Sequence, residues 1–572
     1  MVIKRWRLAI AVLVAGALGL RSVALDFGLP AVYNPDEIAI MSRALAFAKG
    51  DLNPHNFLYP TFFFYVLFAW IGGYFVLARI TGSVTSLNAF QQRFFLDPSG
   101  IYLAGRALGS VCGAFCAGVT ALVGRTLFDM RTGLVAGTLL AVAPLAVIDS
   151  HYVKHDVAAT LAIMLAMWRL SRCWPEGGAS KRVPTSDLVL ASLACGAAWS
   201  IHYYCVFLAV PLALTAIDAR RAQRWPATAA ALAWCLLTAL VGFLALSPFL
   251  LVEPATAWRD IVANRQIVVD RATNHGLFVN LHRYVILLVE GLTLPIVALS
   301  AIGTLVLVAT DRRRALLLLS FPVSFLLFIG NTVPASRYLN PIAPFVVLMA
   351  ALAIRHVASA LAARRQVLAT VVLTLLAGRA ALLDSVKAVI FFGQDDTRTI
   401  AKRLIHTRAP DGATVLIQPY SVQLAQSQES LEESLRARLG SLEQLPTRAR
   451  LRLAVSPWPH PSYRLLWLGT GGLDEDKIYL PYTALGEDPL ATLRMWQVRY
   501  VVLKRYDVAD PAVTPLSDAL ARGARRLGSI SPYREDGQSD TASVAPFLHN
   551  TDSIIDPRLT RPGPIVDVFE IP

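Results

Sequence analysis

Asn34-Pro35-Asp36-Glu37 directly follows the first apolar segment of the chain, and most of what comes after it, as far as about residue 390, is apolar as well. A carboxylate at the edge of hydrocarbon loses hydration, so acids placed there usually face a water-filled cavity and mark a functional site. A plainer reading of Asp36 is also open, because Asn-Pro-Asp-Glu is a turn followed by a helix start with acids in its first turn. A further acid, Asp156, stands at the mouth of a later apolar segment.

With 572 residues, 55% hydrophobic content, 16% charged residues and a mean hydropathy of +0.51, the composition excludes an ordinary soluble enzyme of this length. It is that of a polytopic membrane protein. The net charge of +14 does not point to nucleic acid, because Lys and Arg fall largely between apolar segments, where the loop-charge rule places them. Part of that charge can meet anionic lipid. Six cysteines (Cys112, Cys116, Cys173, Cys195, Cys205, Cys235) lie in or beside apolar segments and imply no disulfide framework. Lys4, Arg5 and Arg7 before the apolar run Leu8–Leu20 have the form of a signal peptide, but the many later segments favour an uncleaved first helix.

Charge-poor windows of about bilayer length, roughly 20 residues each, are predicted at about 7–25, 101–123, 133–149, 157–173, 227–247, 284–309, 315–331, 341–359 and 366–386. The stretch 187–217 is too long for one span. Its middle, Ser200-Ile201-His202-Tyr203-Tyr204, has an interfacial composition, with the two tyrosines as belt aromatics and His202 on the outer side, and divides it into two short helices. The apolar run Phe57–Ala78 is expected in the outer interface, because counting it as a span would exchange the sides of every later loop. Left out, it puts Arg125/Arg131, Arg169/Arg172/Lys181/Arg182, Arg220/Arg221/Arg224, Arg312/Arg313/Arg314 and Arg364/Arg365 together on the cytoplasmic side. About eleven spans result, with the N-terminus inside and the C-terminus outside. The same threading brings Asp36-Glu37, the segment His151–Asp156, the loop 248–283 and Ser336-Arg337-Tyr338 to the outer face.

From about Gln394 the composition turns to mixed charge with Pro and Gly punctuation and short β-like runs at Thr414–Ile417, Tyr500–Leu503 and Val566–Phe569. Residues 1–393 are therefore expected to form a transmembrane domain and 394–572 a small extracytoplasmic α/β domain, of ordinary domain size. Asp395-Asp396-Thr397-Arg398 begins an amphipathic helix with an acidic first turn, and Gln423–Arg450 is helix-prone. Acceptor recognition is the role expected of this domain, from its place over the acidic site.

The arrangement resembles the GT-C fold glycosyltransferases, in particular the protein O-mannosyltransferases and the bacterial aminoarabinose transferases of lipid A. The matching residues are Asp36-Glu37, Ser150-His151-Tyr152 with Asp156, and Arg337-Tyr338-Leu339 with Pro341 and Pro344. Lys154, His155 and Asn34-Pro35 depart from the mannosyltransferase pattern by crowding the acids with basic groups and a turn. The resemblance implies inverting transfer of a sugar from a polyprenyl-phosphate donor to an acceptor hydroxyl on protein, lipid or polysaccharide, at a bacterial inner membrane. It makes Asp36, Glu37 and Asp156 the catalytic acids. An acceptor hydroxyl is a weak nucleophile, so a carboxylate within reach must take its proton, the part assigned to Asp36. Arg337, Tyr338, Lys154, Arg265 and Arg259 are expected on the lipid-phosphate side, where fixed cations stabilise the charge that grows on the leaving group. Tyr59 and His55 are candidates for the acceptor entrance, with His151 and His155 as interface groups. The residues fix no cofactor, and a divalent ion bridging Asp36 and Asp156 to phosphate is compatible with those oxygen ligands. A transporter or lipid flippase with an accessory outer domain is the alternative class, disfavoured because the acids cluster near one surface rather than at the midplane. A non-catalytic subunit that merely presents the outer domain is a third, and it requires Asp36 and Asp156 to tolerate replacement.

Overall fold

The computed structural model describes residues 2–174, 183–220, 225–269, 276–471, 476–506, 510–534, 544–550 and 554–572. The polypeptide builds a helical bundle followed by a six-stranded sheet. Helix Val2–Ser22 packs along Ser99–Leu127 and Met130–Ala141, and Ala343–Ser359 packs against Leu294–Thr310, Met130–Ala141 and the long helix Ala363–Phe392. Lipid offers no hydrophobic drive for helices to associate, so close approach through small residues does that work. Gly303 faces the Met349 carbonyl directly, and Gly133 lies on the Ala121 carbonyl of the neighbouring helix, positions where a Cβ would separate the pair.

The expected windows become helices with shifted ends. Residues 101–123 lie in Ser99–Leu127, 366–386 in Ala363–Phe392, and the window 133–149 divides at Pro144 into Met130–Ala141 and Pro144–Asp149. The split of 187–217 is observed as Thr185–Trp199, a 3-10 turn Tyr203–Leu208 and Ala209–Arg220. The window 284–309 is corrected: it is not one helix but Leu277–Leu292 and Leu294–Thr310, bent by 117° at Thr293, whose φ is +73°. Pro295 in the first turn of the second helix has no N–H for a continued ladder. Among the described residues five helices are long and apolar enough to cross a bilayer, or six if the bent pair is one span. The eleven expected spans also include shorter apolar helices at Met130–Ala141, Thr185–Trp199 and Ala343–Ser359.

Helix Phe62–Ile80 is among the five by length, but its neighbours lie at one end of the bundle. The Phe62 N–H donates to the Ser200 carbonyl and the Trp70 indole to the Ala104 carbonyl, while the Tyr74 hydroxyl sits over Gly100 at the start of Ser99–Leu127. These contacts tie it to the part of the bundle near Asp36, and by length and composition it stays a candidate span. The basic loops share the opposite end, where Arg355 pairs with Asp129 at 2.9 Å, Arg313 with Asp218, Arg125 lies over Trp6 and Arg314 over Phe128. Lys181, Arg182, Arg221 and Arg224 lie outside the described residues.

The sheet has the order β3-β2-β1-β4-β6-β5, with β1 (Thr414–Ile417), β2 (Arg464–Leu468), β3 (Ile478–Leu480) and β4 (Tyr500–Arg505) parallel, and with β5 (Arg525–Ile530) and β6 (Ile565–Glu570) antiparallel at one edge. Alternate side chains supply two cores, one from Leu416, Leu466, Val501 and Leu503, the other from Val415, Ile417, Leu465 and Val502. Helix Thr397–Arg408, capped by Asp396, closes the second core with Ala401 and Ile405. The helix-prone stretch 423–450 is only partly helical, as Gln428–Leu439 and Thr447–Leu453. The sheet part grips the loop before the acidic pair: Gln423 Nε2 donates to the Val32 carbonyl at 2.8 Å, the Tyr33 and Thr399 hydroxyls meet at 2.7 Å, and Arg398 stacks on Tyr33 at 3.8 Å.

Candidate active site

Helix Pro35–Ala46 starts where the sequence puts it. Asn34 is the N-cap, its side-chain oxygen accepting from the Asp36 N–H at 2.9 Å, and Pro35 occupies the first turn, where a missing N–H costs nothing. The two acids then diverge. Glu37 turns into the protein, fully buried, and receives a two-pronged fork from Arg106, Nε to Oε1 and the terminal nitrogen to Oε2, both at 2.9 Å. Its Oε1 also accepts from the Val153 N–H at 3.0 Å. The remaining Arg106 nitrogen donates to the Leu25 and Phe27 carbonyls at 2.8 Å each. Glu37 is thereby corrected from a catalytic acid to the residue that ties the first loop to the segment 150–156. Arg106 escaped the sequence reading, although a single arginine in the charge-poor helix 99–127 is itself a signal.

Asp36 turns the other way, into a cavity of about 290 Å³. Its Oδ2 accepts from an Arg337 terminal nitrogen at 2.8 Å and lies 3.6 Å from Lys154 Nζ. Arg337 belongs to the short turn Ser336–Leu339, and Tyr338 beside it takes the guanidinium over its ring at 5.4 Å. Burial works against the Arg337 charge, but the carboxylates of Asp156 and Asp36 with Tyr338 outweigh it and hold the group firmly protonated. A buried Asn340–Asp149 hydrogen bond locks this turn to the segment that leads into Lys154. Arg21, at the end of the first helix, braces the same segment through Ser150 at 3.2 Å and the Ala141 carbonyl at 2.8 Å.

Asp156 enters the cavity from the first turn of His155–Arg172, where an acid suits the helix dipole. Beside it runs a row of rings: Tyr59 lies 4.1 Å from His155, His155 is 4.7 Å from His202, and His202 stacks on Tyr204 at 3.7 Å. Burial first, then His155 and Arg337, hold His202 in its neutral form, and burial raises the Tyr59 phenol to about 12. His155, Asp156 and His202 offer ligand atoms within 4.8 Å of one another, a set able to hold a metal ion. Of the expected ion-bridging pair, Asp36 is engaged by Arg337 and Lys154, and Asp156 stands beside the two imidazoles.

The cavity brings together Asp36, Asp156, Lys154, His155, Tyr59, Arg265, Arg337 and Tyr338 from the expected set. Besides Glu37, three expected residues stand elsewhere. Arg259 is mostly exposed and pairs with its neighbour Asp260 at 2.9 Å. His55 joins a surface cluster with Asp51 at 2.9 Å and Glu253 at 2.6 Å. His151 is buried, with its ring nitrogens 2.8 and 2.9 Å from the Val147 and Val23 carbonyls, and it is not among the residues lining the cavity. Tyr204 is a cavity wall rather than a belt aromatic, and the Tyr203 hydroxyl donates to the Phe57 carbonyl at 2.9 Å. The rest of the lining is largely apolar, from Val206, Phe207, Ile261, Phe325, Phe328 and Ile329. The cavity thus offers partners for both an anion and a hydrocarbon.

Residues 102–251 match the family profile of dolichyl-phosphate-mannose-protein mannosyltransferases. No curated protein sequence matches the chain. Among solved structures, ArnT from Cupriavidus metallidurans bound to undecaprenyl phosphate is similar with a TM-score of 0.52 at 14% identity, over 98% of this chain and 97% of that one. The same protein in the apo state gives 0.51 at 14% identity, over 99% and 98%. The chain accordingly has the GT-C fold, a helical membrane part followed by a small sheet part.

Proposed function

We propose that this GT-C-fold chain is a membrane glycosyltransferase that moves a sugar from a polyprenyl-phosphate donor to an acceptor hydroxyl. Residues 1–393 form the membrane domain and 394–572 an extracytoplasmic domain at a bacterial inner membrane. The observation that carries the reading is the mixed lining of one cavity: Asp36 in contact with Lys154 and Arg337 within 3.6 Å, together with Phe207, Phe325 and Phe328. A polyprenyl phosphate combines the same two characters, an anion and a hydrocarbon. The similarity to an undecaprenyl-phosphate-bound fold relative and the mannosyltransferase profile support the same choice.

In this reading the donor phosphate draws Arg337 and Lys154 onto its oxygens, which releases Asp36 from its ion pair. The acceptor oxygen then attacks the anomeric carbon opposite the phosphate while its proton passes to Asp36, contributing about 10²–10⁴-fold. The bond from that carbon to the phosphate oxygen breaks, and the electron pair leaves on the phosphate. Arg337 and Lys154 stabilise the charge growing there more than they stabilise the ground state. Inversion follows from attack opposite the leaving group. Asp156, His155 and His202 line the same cavity, where they would order the sugar; were a divalent ion held, these three would be its ligands and it would supply Lewis-acid stabilisation of negative charge.

The test is transfer from polyprenyl-phosphate sugars to acceptor fractions by the purified full-length protein in detergent. A transferase forms product without a second compartment. A protein that only moves lipid between leaflets forms none, and that result would replace this reading by the transporter one.

A further inference from the structure

The segment Val544–Asn550 belongs to the sheet part in sequence, yet three of its side chains, Val544, Phe547 and His549, are buried and meet residues of the membrane part. Phe547 and Val544 join Phe27, Tyr152, Phe391 and Phe392 in one apolar cluster. His549 is 2% exposed and stacks on Phe27 with ring centres 4.6 Å apart and planes 13° apart. Its Nδ1 shares a 2.9 Å hydrogen bond with the Tyr152 hydroxyl. The backbone of His549 is left-handed, φ +59°, a conformation that a non-glycine residue keeps only where its surroundings over-determine it. What that conformation delivers is the next carbonyl: Asn550 O accepts from Lys154 Nζ at 2.8 Å.

Lys154 is 4% exposed, so the direction of its ammonium is decided by these few partners. One is Asn550, one is Asp36 at 3.6 Å, and the Tyr152 ring lies 5.0 Å away. Without the carbonyl the ammonium would close on Asp36, the base would be tied up, and the donor phosphate would lose a cation. The same anchor steadies the other half of the site, because Arg106 lies 3.7 Å from the Phe27 ring on which His549 stacks, and Arg106 forks Glu37, next to Asp36.

We propose that Val544–Asn550 is a positioning arm, anchored by His549, that holds Lys154 off Asp36 and toward the donor phosphate. The arm makes the sheet part a working piece of the active site as well as a cover over it. His549 touches neither substrate; it acts through Lys154. The inference rests on reading the cavity as a polyprenyl-phosphate site.

The experiment is equilibrium binding of undecaprenyl phosphate to the full-length protein in nanodiscs, compared for wild type, His549→Ala, Lys154→Ala, the double variant and Arg337→Ala. Each of the two single variants is expected to bind about tenfold more weakly, and the double variant no more weakly than Lys154→Ala alone, because one residue acting through another gives non-additive losses. Losses that multiply to about a hundredfold would overturn the arm, since independent effects add in free energy. Unchanged binding by His549→Ala would overturn it as well. Tyr152→Phe keeps the ring and removes only the hydroxyl, so it supplies the same cycle with Lys154→Ala if His549→Ala does not fold. If Arg337→Ala weakens binding and Lys154→Ala does not, the arm is refuted and the cavity reading stands. If neither weakens it, the cavity reading itself falls and takes the arm with it.

Discussion

Asp36 and Glu37 are adjacent in the chain and about 100° apart around the helix, and that angle separates their roles. Glu37→Gln leaves the buried Arg106 guanidinium without its counter-charge. A buried charge stripped of its partner costs about 3–5 kcal/mol, so the variant should unfold at clearly lower temperature in detergent, whereas an unchanged midpoint would show that the fork is not structural. Arg337→Ala should weaken undecaprenyl phosphate binding roughly thirtyfold, the worth of about 2 kcal/mol for a hydrogen bond to a charged group. Arg337→Lys should restore only part of it, lacking the planar fork. Binding that ignores both changes would make the arginine an interfacial anchor. The acids of this site were legible because a carboxylate in an apolar chain stands out against its surroundings. Which of two neighbouring acids faces the cavity was not legible, because that depends on Arg106, which lies 69 positions from its partner. His55 and Arg259 misled for the opposite reason, since polar residues at an interface need no substrate to satisfy them, and Asp51, Glu253 and Asp260 suffice.

Helix ends and breaks were less legible than helix existence. Hydropathy ran smoothly through Gly291, Thr293 and Pro295, and the 117° bend there places Leu277–Leu292 and Leu294–Thr310 on different paths. Apolar character says only that a segment avoids water, whereas its direction is set by what it packs on. Phe62–Ile80 makes the same point from the other side: loop charge argues against counting it as a span, while its length and apolar composition are those of one. The packing of Leu294–Thr310 on Ala343–Ser359 depends on the absence of a side chain at Gly303. Gly303→Ala is expected to lower stability by about 1–3 kcal/mol, the usual effect of overpacking, measured as the unfolding midpoint of purified protein. Gly16→Ala, which meets open space, serves as the control and should leave the midpoint unchanged or slightly raised.

The basic side chains of Arg125, Arg313, Arg314 and Arg355 lie at one end of the bundle, and the cavity that holds Asp36 and Asp156 lies toward the other. If the loop-charge rule orients the chain, a cysteine introduced at exposed Leu52, on the cavity side, is labelled in intact cells by a membrane-impermeant thiol reagent, and one at exposed Leu361 is not. Labelling of position 361 alone would invert the orientation. The native cysteines offer little background, five being buried and Cys112 half-buried. The assembly of distant segments was visible in outline, since loop charge alone gathered residues 36, 156 and 337 on one face. The grip of the sheet part on that face was not visible: Gln423 and His549 carry no motif, Arg398 was read only as part of a helix start, and all three gain meaning from Val32, Tyr33 and Phe27. The most direct measurement of the account is a single-turnover transfer assay with excess purified Asp36→Asn over polyprenyl-phosphate sugar, run beside a binding isotherm for undecaprenyl phosphate. The account expects binding within about threefold of wild type and a transfer rate at least about a hundredfold lower; transfer at the wild-type rate with binding intact would contradict it.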